Sequence, residues 1–87
     1  MQLDSTVSLN MVRDVLVDTL GLQNQADALN ADTRLFGSLP ELDSMAVLEV
    51  LLALEQRFGI TIEGEDVTVE AFESLGSLTD FVRRHLR

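Results

Sequence analysis

Leu9, Val12, Val15, Leu16 and Leu20 stand three or four positions apart, which puts them on one face of a helix over about residues 6–20. Ser8 or Ser5 is placed to cap its start, and Gly21 suits the left-handed position just past its end. A second helix is predicted over Ser44–Phe58, stopped by Gly59 and followed by the β-branched, extended run Ile60-Thr61-Ile62. Between the two, Asn, Gln, Asp, Gly37 and Pro40 break the pattern, and Leu29, Leu35, Phe36, Leu39 and Leu42 are scattered anchors. A connection of about twenty residues is long for so small a protein and tends to be functional. A short helical turn is predicted within it near 27–29. Acidic residues 63–73 predict one short helix around 65–72. The last helix is predicted to start at Ser77, where Ser77-Leu78-Thr79-Asp80 resembles a capping box with Asp in place of Glu, and to run to about residue 86. Arg83, Arg84 and Arg87 complement the negative end of its dipole.

Residues 1–5 carry no pattern and are expected to form a loose lead-in. The expected fold is therefore all-α: a small four-helix bundle over residues 1–87, one domain, with a long loop between helices 1 and 2 and a short third helix.

The second helix carries more apolar positions than one core needs. At about 100° per residue, Val47, Val50, Leu51, Leu54 and Phe58 fall in one sector, the expected core face. Met45, Leu48 and Leu52 form a second stripe well over about 100° away. Glu49 and Gln56 border this stripe, while Ser44 and Glu55 lie between it and the core face. An apolar patch with a charged rim suits partner docking. The alternative is that the long loop folds over the stripe.

Composition narrows the function. The 87 residues hold 15 acids against six arginines and no lysine, for a net charge of −9. Such a chain repels nucleic acid and anionic lipid surfaces, so neither is an expected partner. Residues 41–73 alone hold nine acids against Arg57, a net −8. Those acids either keep a small domain soluble or form a docking surface for basic partners. Without cysteine there is no disulfide, thiolate metal site or catalytic thiol. A basic-then-apolar leader and an apolar run of about 18 residues are both missing, so neither export nor membrane insertion is expected.

Catalytic constellations are poorly represented. The single histidine, His85, lies in the last helical turn beside two arginines and reads as an exposed helix-end residue rather than a base. A Schiff base needs a lysine, and no glycine-rich phosphate loop or nucleophile elbow is present. The acids of 63–73 miss the calcium-loop spacing, so no metal site is expected, although an acidic calcium-binding domain is one alternative. Ser44 remains. It follows Asp43 where the long loop meets the second helix, and either residue is placed to act as an N-cap. A serine there is equally suited to modification by another enzyme, because the positive end of a helix dipole tolerates an added phosphate.

The run Leu39-Pro40-Glu41-Leu42-Asp43-Ser44-Met45, followed by Leu54-Glu55-Gln56-Arg57-Phe58-Gly59-Ile60, resembles the acyl carrier protein family. Its members carry Asp-Ser-Leu or Asp-Ser-Met at the start of the second of four helices. The segment Asp32-Thr33-Arg34-Leu35-Phe36 is similar to the loop before that motif, and Val67 and Leu78, Phe81 and Val82 fit the third and fourth helices. The similarity covers about residues 8–85. Leu-Asp-Ser-Met also resembles D-alanyl carrier proteins of cell-envelope modification, and the longer Leu-Pro-Glu-Leu-Asp-Ser-Met resembles stand-alone carriers of bacterial polysaccharide and exosortase systems. Relative to the most acidic members, Ala46 stands where an acid is common.

The resemblance implies a non-enzymatic, cytoplasmic, monomeric carrier. Ser44 would receive a 4′-phosphopantetheine arm from coenzyme A through a separate magnesium-dependent phosphopantetheinyl transferase, with Asp43 as motif partner. The arm's thiol would hold acyl groups, or aminoacyl groups in the D-alanyl variant. Met45, Leu48 and Leu52, with Glu49 and Glu55, would dock partners: the transferase, an acyl-loading ligase or synthase, and acyltransferases. The competing reading is an acidic helical interaction module in which Ser44 is only a cap.

Overall fold

The computed structural model describes residues 7–86, so the expected lead-in and Arg87 lie outside the described residues. Helix α1 spans Leu9–Leu20, and Ser8 is its cap, its Oγ accepting from the Met11 N–H at 3.3 Å. Helix α2 spans Ser44–Phe58, as the pattern predicts, and ends at Gly59. Gly59 adopts φ 64°, a left-handed conformation that disfavours a side chain, and its N–H donates to the Glu55 carbonyl. Helix α3 spans Leu75–His85. These three helices, a short helical stretch between α2 and α3, and the loop after α1 form the expected all-helical bundle.

Helix α3 starts earlier than predicted. Its cap is Ser74, not Ser77: Ser74 Oγ accepts from the Ser77 N–H at 3.1 Å, and Ser77 Oγ accepts from the Ser74 N–H at 2.9 Å. Thr79, expected near a cap, is buried inside the helix with its hydroxyl donating to the Leu75 carbonyl at 2.8 Å. The extra turn exists because the long loop completes it. The first N–H groups of a helix lack intrahelical acceptors. Here the Leu75 and Gly76 N–H groups donate to the loop carbonyls of Thr33 and Ala31, at 3.0 and 2.9 Å. A Cβ at position 76 would stand 3.0 Å from the Ala31 oxygen, so only glycine allows this approach without a shift.

The loop is correspondingly well tied. Its helical turn is a 3₁₀ turn over Gln23–Ala28, somewhat before the predicted position. The Leu35 and Phe36 N–H groups donate to the carbonyls of Glu73 and Phe72, at 3.1 and 3.0 Å. Leu29, Leu35 and Leu42 are buried anchors, whereas Phe36 stays 45% exposed.

The expected third helix is two separate 3₁₀ turns, Gly64–Asp66 and Glu70–Phe72. Val67 is extended between them, and Thr68 Oγ1 accepts from the Ala71 N–H at 3.2 Å. β-Branched Val67, Thr68 and Val69 and a capping hydroxyl leave no run long enough to propagate an α-helix.

Helix α1 packs on both α2 and α3, and α3 packs on the Glu70–Phe72 turn. A core of buried side chains joins all of them, including Val12, Leu16, Val50, Leu54, Leu78 and Phe81. The buried line of α2 runs through Ala46, Val50 and Leu54, rotated from the expected face. Val47, Leu51 and Phe58 flank it half-buried. No helix among the described residues is long and apolar enough to cross a membrane.

Candidate functional site

The site is set where the pinned loop runs into α2. Leu42 is buried, and the next residue, Asp43, is the N-cap: its Oδ1 accepts from the Ala46 N–H at 2.9 Å, and its carbonyl accepts from the Val47 N–H. Ser44 is therefore the first helical residue rather than the cap, and it is exposed. Among the described residues, no hydrogen bond engages its hydroxyl. The capping role of the Asp43-Ser44 pair thus belongs to Asp43, and among the described residues the serine oxygen has no partner.

A shallow concavity beside the serine is formed by Phe36, Gly37, Ser38, Leu39, Pro40, Leu42, Asp43 and Ser44. It lies at the positive end of the α2 dipole, where an added anionic group is favoured. No base activates the serine among the described residues. Asp43 is committed to its cap, and the only histidine is bonded elsewhere: His85 Nδ1 donates to the Phe81 carbonyl at 2.9 Å, and Nε2 lies 3.5 Å from Asp66 Oδ2. With 17% of its side chain exposed, His85 is half-buried against the Phe81 ring, not the open helix-end residue the sequence suggested. The arrangement offers an acceptor hydroxyl for a group another enzyme delivers.

The second stripe of α2 is uncovered. Met45, Leu48 and Leu52 are 67%, 56% and 58% exposed, so the loop does not fold over them. They lie across the helix from the buried Ala46–Val50–Leu54 line. Ala46, at a position where acids are common in the look-alike family, is 7% exposed and packs inward. Glu49 is exposed at the stripe's edge. With Glu41 and Asp43 it also lines a concavity between the end of α1 and the start of α2, walled by Thr19, Leu20, Met45 and Ala46. Glu55 is different: half-buried, its Oε2 accepts from the Ile62 N–H at 2.7 Å. That carboxylate holds the chain leaving α2, so it is only partly available to a partner. Among the described residues, no group of three or more His, Asp and Glu side chains could hold a metal ion.

A second feature lies where the expected core face of α2 meets the loop anchors, the place where the family resemblance implies a groove. A cavity of about 190 Å³ lies between α2 and residues 67–72, lined by Phe36, Val47, Val67, Thr68, Val69 and Phe72. Its third side, which the sequence did not indicate, is the β-branched Val67-Thr68-Val69 set in an acidic run, with Val69 left 72% exposed.

Residues 10–82 match the family profile described as a phosphopantetheine attachment site. The chain is 32% identical over 81 residues to the anthracycline acyl carrier protein DauA of Streptomyces sp. (strain C5), covering 93% of each chain. Its fold is similar to the solution NMR structure of a holo acyl carrier protein from Nitrosomonas europaea, with a TM-score of 0.80 and 42% identity. That similarity covers 87% of this chain and 92% of the other.

Proposed function

The chain belongs to the phosphopantetheine attachment-site family, the acyl carrier proteins, and on that premise we propose that Ser44 is its attachment residue and that the chain shuttles acyl groups between partner enzymes. The family's cofactor is a covalently bound 4′-phosphopantetheine, and its carriers are not themselves enzymes. When bound, the arm supplies a thiol that this cysteine-free chain lacks.

The observation that carries the assignment is the exposed Ser44 hydroxyl at the first position of α2, without a hydrogen-bond partner among the described residues and with the cap supplied by its neighbour. Asp43 fixes the helix start and so the direction in which Ser44 is presented. The concavity formed by Phe36, Gly37, Leu39 and Pro40 has room for the near end of the arm. Met45, Leu48 and Leu52 form the docking stripe, with Glu49 pairing to basic groups of a phosphopantetheinyl transferase, a loading ligase or synthase, and acyltransferases. Rim pairs of this kind speed encounter without tight binding, which suits a shuttle. The apolar cavity beside Val47 suits a short acyl chain. Both named relatives are acyl carriers, which supports acyl rather than aminoacyl cargo. The working form is a cytoplasmic monomer.

Incubation with coenzyme A and a broad-specificity transferase is expected to add one phosphopantetheine mass, and Ser44→Ala is expected to abolish the addition. A modified Ser44→Ala chain, or a wild type left unmodified by several transferases, would overturn the assignment.

A further inference from the structure

Residues 63–69 lie across the cavity as a strap, with Val67, Thr68 and Val69 forming one wall opposite Val47 of α2. The backbone bonds of the strap's own turn are local: Asp66 N–H to the Glu63 carbonyl and Val67 N–H to the Gly64 carbonyl. Side-chain polar ties to the rest of the fold stand just before the strap and at its middle. Glu55 holds the Ile62 N–H before it, and His85 meets Asp66 within it. Past the strap, Ala71 and Phe72 are buried and fixed. The wall residues therefore sit between one permanent anchor and one ion pair.

The ion pair has a chemical condition. A carbonyl oxygen only accepts, so the imidazole hydrogen on Nδ1 is committed to the Phe81 carbonyl. In a neutral ring Nε2 then presents a lone pair to the Asp66 carboxylate, which presents lone pairs in return. Only the imidazolium makes both contacts attractive. Asp66 is the charged group facing the ring from the strap, and Arg84 shares the concave surface beside it. The end of α2 contributes Gly59, Ile60 and Thr61 there, none of them charged.

We propose that His85 and Asp66 form a proton-dependent latch that holds the strap against the apolar cavity and so controls how readily a bound acyl chain enters or leaves it. His85 is a positioning residue in this role, acting through Asp66 and Val67 rather than on cargo. The effect on cargo rests on the carrier reading; the latch itself does not.

The test compares wild type, His85→Ala, Asp66→Ala and the double variant by amide hydrogen exchange on the unmodified chain. Asp66→Ala touches no core side chain, so it remains informative if His85→Ala unsettles Phe81. Each single variant is expected to reduce protection of the residue 66 and Val67 amides about two- to fivefold, the range a half-exposed ion pair supports. The double variant should be no worse than either single one, while Leu16, Val50 and Leu54 stay unchanged. After correction for intrinsic rates, wild-type strap protection should fall as rising pH removes the imidazole proton, and that of Asp66→Ala should not. Independent multiplication of the two single effects, or matching pH profiles in wild type and Asp66→Ala, would overturn the latch. In chains loaded from hexanoyl-coenzyme A by a transferase, Asp66→Ala should speed hydroxylamine cleavage of the acyl group by a similar factor. An equal cleavage rate would overturn the control of cargo. A chain that cannot be loaded at all would instead overturn the carrier reading, with the exchange result still deciding the latch.

Discussion

At the scale of single residues, Asp43 and Ser44 have separable roles. Asp43→Ala removes the side-chain acceptor for the Ala46 N–H and is expected to cost about 1 kcal/mol in denaturant unfolding. Ser44→Ala removes no hydrogen bond among the described residues and should leave stability within about 0.5 kcal/mol while ending modification. Equal losses for the two variants would return the capping role to Ser44. Gly76→Ala is a third test at this scale. Its Cβ would meet a backbone oxygen at 3.0 Å, so a cost of about 1–3 kcal/mol is expected, measurable as a lower unfolding midpoint.

At the scale of elements, the two apolar lines of α2 should respond oppositely to substitution. Leu54 is fully buried, and Leu54→Ala is expected to cost about 2–5 kcal/mol. Leu48 is more than half exposed, so Leu48→Glu should keep the unfolding midpoint and weaken docking to the transferase, read as a raised KM. A Leu48→Glu chain that melts far lower would mean that the stripe is packed in solution. The two lines were legible in the sequence because helical periodicity places every residue of a helix on a face once its bounds are known. The start of α3 was not legible. It depends on carbonyls more than forty residues earlier, which no local pattern records. The third helix dissolved into 3₁₀ turns for a local reason, the β-branched triplet, yet the cavity this leaves beside Val47 is a tertiary result. Glu55 likewise reads as a rim acid by angle, and only the path of the chain after Gly59 makes its carboxylate a backbone acceptor.

For the whole molecule, charge is the controlling variable. Most of the −9 is concentrated in residues 41–73, which include α2 and the strap, so the folded state brings like charges together. Added sodium chloride should raise the thermal midpoint by screening this repulsion and should slow association with basic partners. A midpoint that falls between about 0.02 and 0.3 M salt would show that favourable ion pairs outweigh the repulsion. The arginine–carboxylate pairs among the described residues, Arg34–Glu73 at 4.0 Å and Asp80–Arg83 at 3.6 Å, are exposed and too weak to reverse the trend.

The close approach of Ala31 and Thr33 to Leu75 and Gly76 orders events during synthesis. Ser44 leaves the ribosome well before the glycine that completes its loop. A nascent chain ending short of residue 75 carries Ser44 but lacks the backbone donors that fix the loop behind it. Presentation of the serine thus waits on the last helix, and a transferase that reads the set loop and α2 together would arm finished chains in preference to fragments.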